Sequence, residues 1–170
     1  MTFPDKIHIL VITLSDRAYA GVYPDQSGPA ITRLAEEFFL AKELKSEIQN
    51  VLLPDDPEKL TAILKSAINS GFHVVFTTGG TGLGPRDMTP DVVKSLLDKE
   101  IPGIMEMIRV KHGLIKPAAL LSRSIAGVSG KTLVYCLPGS VKAVEEYCPE
   151  ILPTITHSLK MILGISDHSD

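Results

Sequence analysis

Residues 77–91 read Thr-Thr-Gly-Gly-Thr-Gly-Leu-Gly-Pro-Arg-Asp-Met-Thr-Pro-Asp, a glycine cluster set between an apolar run and a helix start. Gly79, Gly80, Gly82 and Gly84 give access to backbone angles that side chains forbid, so successive N–H groups can turn inward and cradle an anion such as phosphate. Arg86 adds a planar cationic fork and Asp87 a carboxylate. A plain strand-to-helix turn needs one or two glycines. This density, with flanking threonines and an Arg-Asp pair, predicts a phosphate-handling loop. Two familiar nucleotide loops do not fit it. Gly79 and Gly84 have the Walker spacing, but Pro85-Arg86 stand where Lys-Ser/Thr is required. Gly80, Gly82 and Gly84 are spaced two apart, unlike a dinucleotide fingerprint, and the loop does not follow the first strand.

Outward from the loop, strand-like and helix-like stretches alternate. Ile7–Leu14 is a near-continuous apolar run with β-branched residues, the pattern of a central parallel strand covered on both faces. It ends at Ser15-Asp16-Arg17, and residues 18–26 form a loop of the length that covers sites. Ser27 reads as a helix cap with Pro29 in the first turn, and Ile31, Leu34, Ala35, Phe38 and Phe39 follow at helical spacing. Residues 47–53 read as the second strand, entering Pro54-Asp55-Asp56-Pro57. Asp56, directly before Pro57, is the natural N-cap of a helix carrying Leu60, Ile63, Leu64, Ala67 and Ile68. Asp55 is left without that explanation. Residues 72–76 form the third strand; beyond the glycines Thr89-Pro90 reads as cap and first helical residue, leaving Asp87 unexplained in the same way. Val93, Leu96 and Leu97 continue that helix, and Ile101-Pro102-Gly103 breaks it before a Met and Ile stripe suited to core or subunit contact. A short helical piece over 116–121 precedes a hairpin, 122–128 and Thr132–Leu137, turning at Ser129-Gly130-Lys131. Pro138-Gly139-Ser140 is again a small-residue turn into a helix, with Ser140 as cap, and a last helix is expected from Pro149 or Pro153 to Gly164.

Composition bounds the function. A chain of 170 residues with 44% hydrophobic content is one compact α/β domain, taken here as residues 1–164 with 165–170 a disordered tail. A formal charge of −3 and no tryptophan give neither the basic footprint nor the stacking platform of a nucleic-acid binder. The apolar run at 7–14 imitates a signal peptide, but Asp16 and Arg17 stand before the supposed cut and the run is strand-length. No stretch is long enough to span a membrane. Cys136 and Cys148 have no metal spacing and read as buried thiols of a reducing, cytoplasmic compartment. The five histidines are scattered singly.

Alternating strands and amphipathic helices imply right-handed crossovers, a three-layer fold with a mostly parallel sheet, helices on both faces and a short antiparallel hairpin. Every strand-to-helix loop then opens on one rim, where Asp16, Arg17, Asp55, the 79–87 loop and Pro138-Gly139-Ser140 meet. Three carboxylates, two arginines and a phosphate-shaped backbone fit a nucleotide with a hard divalent cation. A phosphate acceptor is itself largely ionised near neutral pH, so no dedicated base is required.

Leu14-Ser15-Asp16-Arg17, Leu53-Pro54-Asp55-Asp56, the Thr-Gly-Gly-Thr-Gly and Pro-Arg-Asp-Met-Thr-Pro run, Ser122-Arg123-Ser124-Ile125-Ala126-Gly127 and Leu137-Pro138-Gly139-Ser140 together resemble the molybdopterin adenylyltransferase family, the Mog and MoaB group related to the gephyrin G domain. The resemblance spans nearly the whole chain. It implies a homotrimeric α/β protein, the molybdenum cofactor biosynthesis domain, that transfers AMP from ATP to the terminal phosphate of molybdopterin with Mg2+ and releases pyrophosphate. It also implies hand-over to a molybdenum-insertion protein. By motif match Asp55 and Asp87 are the family's two functional aspartates and the Mg2+ ligands. Ser15, Asp16, Arg17, Thr78, Gly79, Gly80, Thr81, Gly82, Arg86, Pro138, Gly139 and Ser140 are its nucleotide and pterin contacts. Val141 stands where many adenylyltransferases have proline, and Pro-Gly-Ser before Val-Lys-Ala is similar to the MoaB branch. That departure supports an alternative, a non-catalytic molybdopterin carrier or scaffold; a third reading is a nucleotide-cleaving enzyme of the competence-damage-inducible type.

Overall fold

The computed structural model describes residues 2–165; of the tail expected at 165–170, all but Ile165 lies outside the described residues. In chain order the elements are β1 (Ile7–Leu14), α1 (Asp16–Tyr19), α2 (Ser27–Ala41), β2 (Ser46–Leu53), α3 (Pro57–Asn69), β3 (Val74–Thr78), α4 (Thr89–Leu96), β4 (Lys99–Glu100), α5 (Pro102–Gly113), a 3-10 turn (Pro117–Leu121), β5 (Ala126–Ser129), β6 (Thr132–Leu137) and α6 (Val141–Ile162).

The six strands form one sheet in the order β2-β1-β3-β6-β5-β4. The β2, β1, β3 and β6 strands are parallel, and β5 and β4 add antiparallel pairs at one edge. Alternation along each central strand sends side chains to two cores. Ile9 and Val11 of β1, Phe76 of β3 and Tyr135 of β6 pack under α2, α5 and α6. Leu10, Ile12 and Leu14, with Val75 and Val134, pack against Leu60 and Leu64 of α3 and Val93 of α4. The near-continuous apolar run of Ile7–Leu14 is therefore two interleaved stripes, one for each helical layer. The three-layer expectation is met.

The chain leaves β1 toward β2 on one side and returns through α3 to β3 on the other. The order reverses between β1 and β3, and in open α/β sheets the crevice beyond the carboxyl ends of the strands at such a reversal is where ligands bind. Ser15 and Gly79 stand at those two ends.

Four expectations are corrected. The segment 18–26 is not all loop, because Asp16–Tyr19 closes one helical turn capped by Ser15. Ser27 does not cap α2; the Asp25 carboxylate does that work from farther back, accepting the Gly28 N–H at 3.2 Å and the Ser27 hydroxyl at 3.3 Å. Thr89 is the first residue of α4 rather than its cap, its N–H donating to the Gly80 carbonyl at 3.1 Å. The last helix starts at Val141, not at Pro149 or Pro153, and both prolines lie inside it. Each interior proline costs about 3 kcal/mol, but Val144, Tyr147, Cys148, Ile151, Leu152, Ile155 and Leu159 form one buried face across them. Burying each large apolar side chain stabilises by about 1.5–3 kcal/mol, so packing wins over propensity. The cap assigned to Asp56 holds, with its Oδ1 accepting from Glu58 and Lys59 N–H.

Both cysteines are buried, and burial pushes each thiol up to about 12, so neither is a nucleophile at neutral pH. No helix among the described residues is long and apolar enough to cross a membrane.

His73 lies between α3 and β3, where its Nδ1 accepts the His8 N–H at 2.9 Å and its ring stacks on that of His8. Burial, with the neighbouring His8 charge, lowers its pKa from 6.5. At this site the unfolded chain thus binds a proton more readily than the folded one, and the contribution of His73 to stability is full above pH 6.5 and is lost as pH falls below it. A His73→Asn protein, whose side-chain oxygen can still accept from His8, should lose less Tm than the parent between pH 6.5 and about pH 5; equal slopes in a pH series of thermal melts would show that His73 does not carry this sensitivity.

Candidate functional site

Beyond the carboxyl ends of β1 and β3 lies a cavity of about 720 Å³. Ser15, Asp16 and Arg17 line it from β1, Asp55 from β2, and Gly79, Gly80, Thr81, Gly82, Arg86 and Asp87 from the glycine loop. Gly139 and Ser140 close it from β6. Thr78 and Pro138 are not on its wall: Thr78 is fully buried and its hydroxyl donates to the Pro138 carbonyl at 2.9 Å, joining the ends of β3 and β6 beneath the loop.

The β1 and β2 ends are locked to each other by their aspartates. The Asp16 N–H donates to Asp55 Oδ2 at 3.2 Å, and the Asp55 N–H donates back to Asp16 Oδ1 at 3.0 Å. Arg86 reaches over from the glycine loop, its Nη2 2.7 Å from Asp16 Oδ2 and 3.2 Å from the Asp55 carbonyl oxygen. The Arg86 side chain is 66% exposed, so the ion pair adds little to stability and is free to exchange partners. Arg17 lies over the ring of Tyr23, 4.9 Å from its centroid.

The glycines of the loop have two different reasons. Gly79 and Gly80 take φ of 107° and 64°, and a Cβ on Gly79 would fall 2.2 Å from the Leu14 carbonyl oxygen. Gly82 and Gly84 have ordinary φ, contrary to expectation, and what they supply is room. A Cβ on either would stand 2.8 Å from Asp87 Oδ2, the oxygen that accepts the Gly84 N–H at 2.8 Å. Asp87 is therefore seated in the loop by one carboxylate oxygen. Ser140 caps α6, accepting the Ala143 N–H at 3.1 Å, and brings the positive end of a 22-residue helix to the cavity.

Three contributors went unassigned in the sequence. Asp25 lines the cavity and anchors the loop over it, its Oδ2 accepting from the buried Thr13 hydroxyl at 2.7 Å; an aspartate just ahead of Ser27-Gly28-Pro29 was the available signal. Tyr23 lines it too, its hydroxyl 3.1 Å from Ser15 Oγ, a contact with no local trace. Arg123, noted only as part of a motif, sits behind the glycine loop with its Nε 2.9 Å from the Gly82 carbonyl oxygen.

Residues 10–157 match the family described as "Probable molybdopterin binding domain". The chain is 36% identical to the molybdopterin adenylyltransferase of Helicobacter pylori strain J99, over 93% of this chain and 89% of that enzyme. It is 39% identical to the gephyrin of Dictyostelium discoideum over 89% of this chain, which spans 22% of gephyrin's length. Among solved structures, the tungsten cofactor synthesizing protein MoaB from Pyrococcus furiosus superposes with a TM-score of 0.81 at 36% identity, covering 94% of this chain and 99% of that one. The motifs that line the cavity thus sit in a fold and a sequence shared along most of this chain with these proteins, and the chain belongs to the molybdopterin-binding domain family, the family of the molybdopterin adenylyltransferases.

Proposed function

We propose that the protein acts in molybdenum cofactor biosynthesis by transferring AMP from ATP to the terminal phosphate of molybdopterin. The observation that carries this reading is one cavity holding Asp55 and Asp87 beside a glycine loop and Arg86, in a chain that matches an enzyme named for that reaction along most of both lengths.

A phosphate oxygen of molybdopterin attacks the α-phosphorus of ATP, the bond to the β-phosphate oxygen breaks, and pyrophosphate leaves with the electron pair. Phosphate monoesters lose their second proton near pH 6, roughly, so the nucleophile is ionised at neutral pH and no side chain has to accept a proton. The protein's task is positioning and charge. Thr81 and Gly82 offer N–H groups with no partner among the described residues, and Arg86 can trade Asp16 for a phosphate oxygen. Ser15, Asp16, Arg17, Gly79, Gly80, Gly139 and Ser140 shape the walls for nucleotide and pterin, with Thr78 and Pro138 bracing them from beneath.

Mg2+ suits the donors present. Asp55 Oδ1 and Asp87 Oδ1 accept no hydrogen bond from the described residues, while the second oxygen of each is committed to a backbone N–H. Among the described residues there is no group of three or more His, Cys, Asp or Glu in metal-holding geometry. Magnesium is commonly held by one or two carboxylates, with substrate phosphates and water completing its shell. When bound it would neutralise phosphate charge during transfer. The homotrimer is supported by the exposed apolar side chains of Val110, Leu114, Ile115, Leu120 and Leu121, which suit subunit contact. A cytoplasmic location and hand-over to an insertion protein follow from the same family reading.

Purified protein with ATP, Mg2+ and molybdopterin should release pyrophosphate only when the pterin is present. Asp55→Asn and Asp87→Asn, which keep an acceptor for Asp16 and Gly84, should each lower kcat by about a hundredfold or more. Pterin binding without any ATP-dependent release would replace the transferase with the carrier. Release without pterin would point to nucleotide hydrolysis. Gly79→Ala should lower stability by about 2 kcal/mol or more in denaturant titrations, because it combines forbidden φ with a backbone collision.

A further inference from the structure

We infer that Arg123 is the positioning residue that aims the glycine loop's N–H groups at the phosphates. Arg123 is no part of the cavity wall. It enters from the stretch before β5 and binds the loop from behind at three places and α4 at a fourth. Its backbone N–H donates to the Thr81 carbonyl at 2.9 Å and its Nε to the Gly82 carbonyl at 2.9 Å. Its Nη2 donates to the Asp87 carbonyl, and Nη1 lies 2.9 Å from both carboxylate oxygens of Asp91 in the first turn of α4.

The consequence follows from the trans peptide, in which C=O and N–H point in opposite directions; among the described residues no peptide bond is cis. Holding the Thr81 carbonyl toward Arg123 turns the Gly82 N–H the other way. Holding the Gly82 carbonyl there turns the Leu83 N–H likewise. The Gly80 carbonyl, bound by the Thr89 N–H at 3.1 Å, does the same for the Thr81 N–H. Three successive amides are thus directed away from the Arg123 and α4 side, and Thr81 and Gly82 line the cavity opposite. A run of parallel N–H groups is an anion-binding concavity; Arg123 holds two of its three carbonyls, Thr81 by its backbone N–H and Gly82 by its guanidinium, and the guanidinium's bonds to the Asp87 carbonyl and to Asp91 brace the first turn of α4, whose Thr89 N–H holds the third. The bond to the Asp87 carbonyl extends the same grip to the residue that carries the second cavity carboxylate. Lysine has the charge but not the fork, so it cannot hold the Gly82 carbonyl, the Asp87 carbonyl and Asp91 together.

This inference rests on the proposal that the loop holds the phosphates of ATP, and the test separates the two. Pyrophosphate and ATP are titrated calorimetrically, each with Mg2+, into the parent, Arg123→Lys and Arg123→Ala, with Ile155→Val as a core control and thermal melts on all four. The expected result is a tenfold or greater rise in Kd for both anions in Arg123→Lys and Arg123→Ala. The KM for molybdopterin should change less than about twofold, and added guanidinium ion should partly restore affinity in Arg123→Ala alone. Parent-like anion affinity in Arg123→Lys would overturn the inference, as would a loss of affinity that Ile155→Val reproduces at equal loss of Tm. If the parent binds pyrophosphate but not ATP, adenylyl transfer fails while the pyrophosphate series still decides the role of Arg123; if it binds neither anion, both fall.

Discussion

Three strand ends meet with no space for a side chain between them, and the rest of the site is arranged on that contact. The Gly79 N–H donates to the Leu137 carbonyl at 3.1 Å, its missing side chain would collide with the Leu14 carbonyl, and a Cβ on Gly139 would stand 3.1 Å from the Gly79 Cα. The ends of β1, β3 and β6 are therefore as close as bare backbone permits. That approach places the loop after β3 directly against the turns after β1 and β6, so residues far apart in the chain share one wall. It also explains why two kinds of glycine are needed, one pair for backbone angle and one pair for the volume of Asp87.

Electrostatics on this framework is local and soft at the mouth, firmer behind it. At the mouth, the Arg86–Asp16 pair is exposed and exchangeable. Behind the loop, Arg123 binds carbonyls and a carboxylate together, a set of charge-assisted bonds that fixes geometry more than it adds energy. Such a division would suit the proposed polyanion, with exchangeable charge at the mouth of the cavity and firmly held backbone behind it.

The sequence carried the parts of this arrangement that are local. The apolar runs of β1 and β6 show their bounds directly, since strands buried at every position but His8 leave few polar residues to blur them. Asp56 was legible as a cap because Pro57 marks the first helical turn, and subtracting it left Asp55 facing the cavity. Non-local features were silent. β4 is two exposed residues, Lys99 and Glu100, paired with β5, so no periodicity could announce it. The start of α6 was misplaced because proline is a strong local signal and the buried face that overrides it becomes visible only against the sheet. Gly82 and Gly84 read as conformational when they are steric, because the carboxylate they accommodate belongs to a fold of the loop that spacing does not reveal.

The two buried thiols give this protein a pair of internal clocks. Cys136 lies at the centre of the sheet in β6, and Cys148 lies on the buried face of α6. A thiol reagent can reach either one only when the surrounding structure opens, so its labelling rate, compared with that of a free thiol, measures the free energy of that opening. Cys136 reports on rupture of the parallel core, and Cys148 on detachment of the proline-bearing helix. A helix that undocks before the sheet parts would label first at Cys148; a chain that opens as one cooperative unit would label both together.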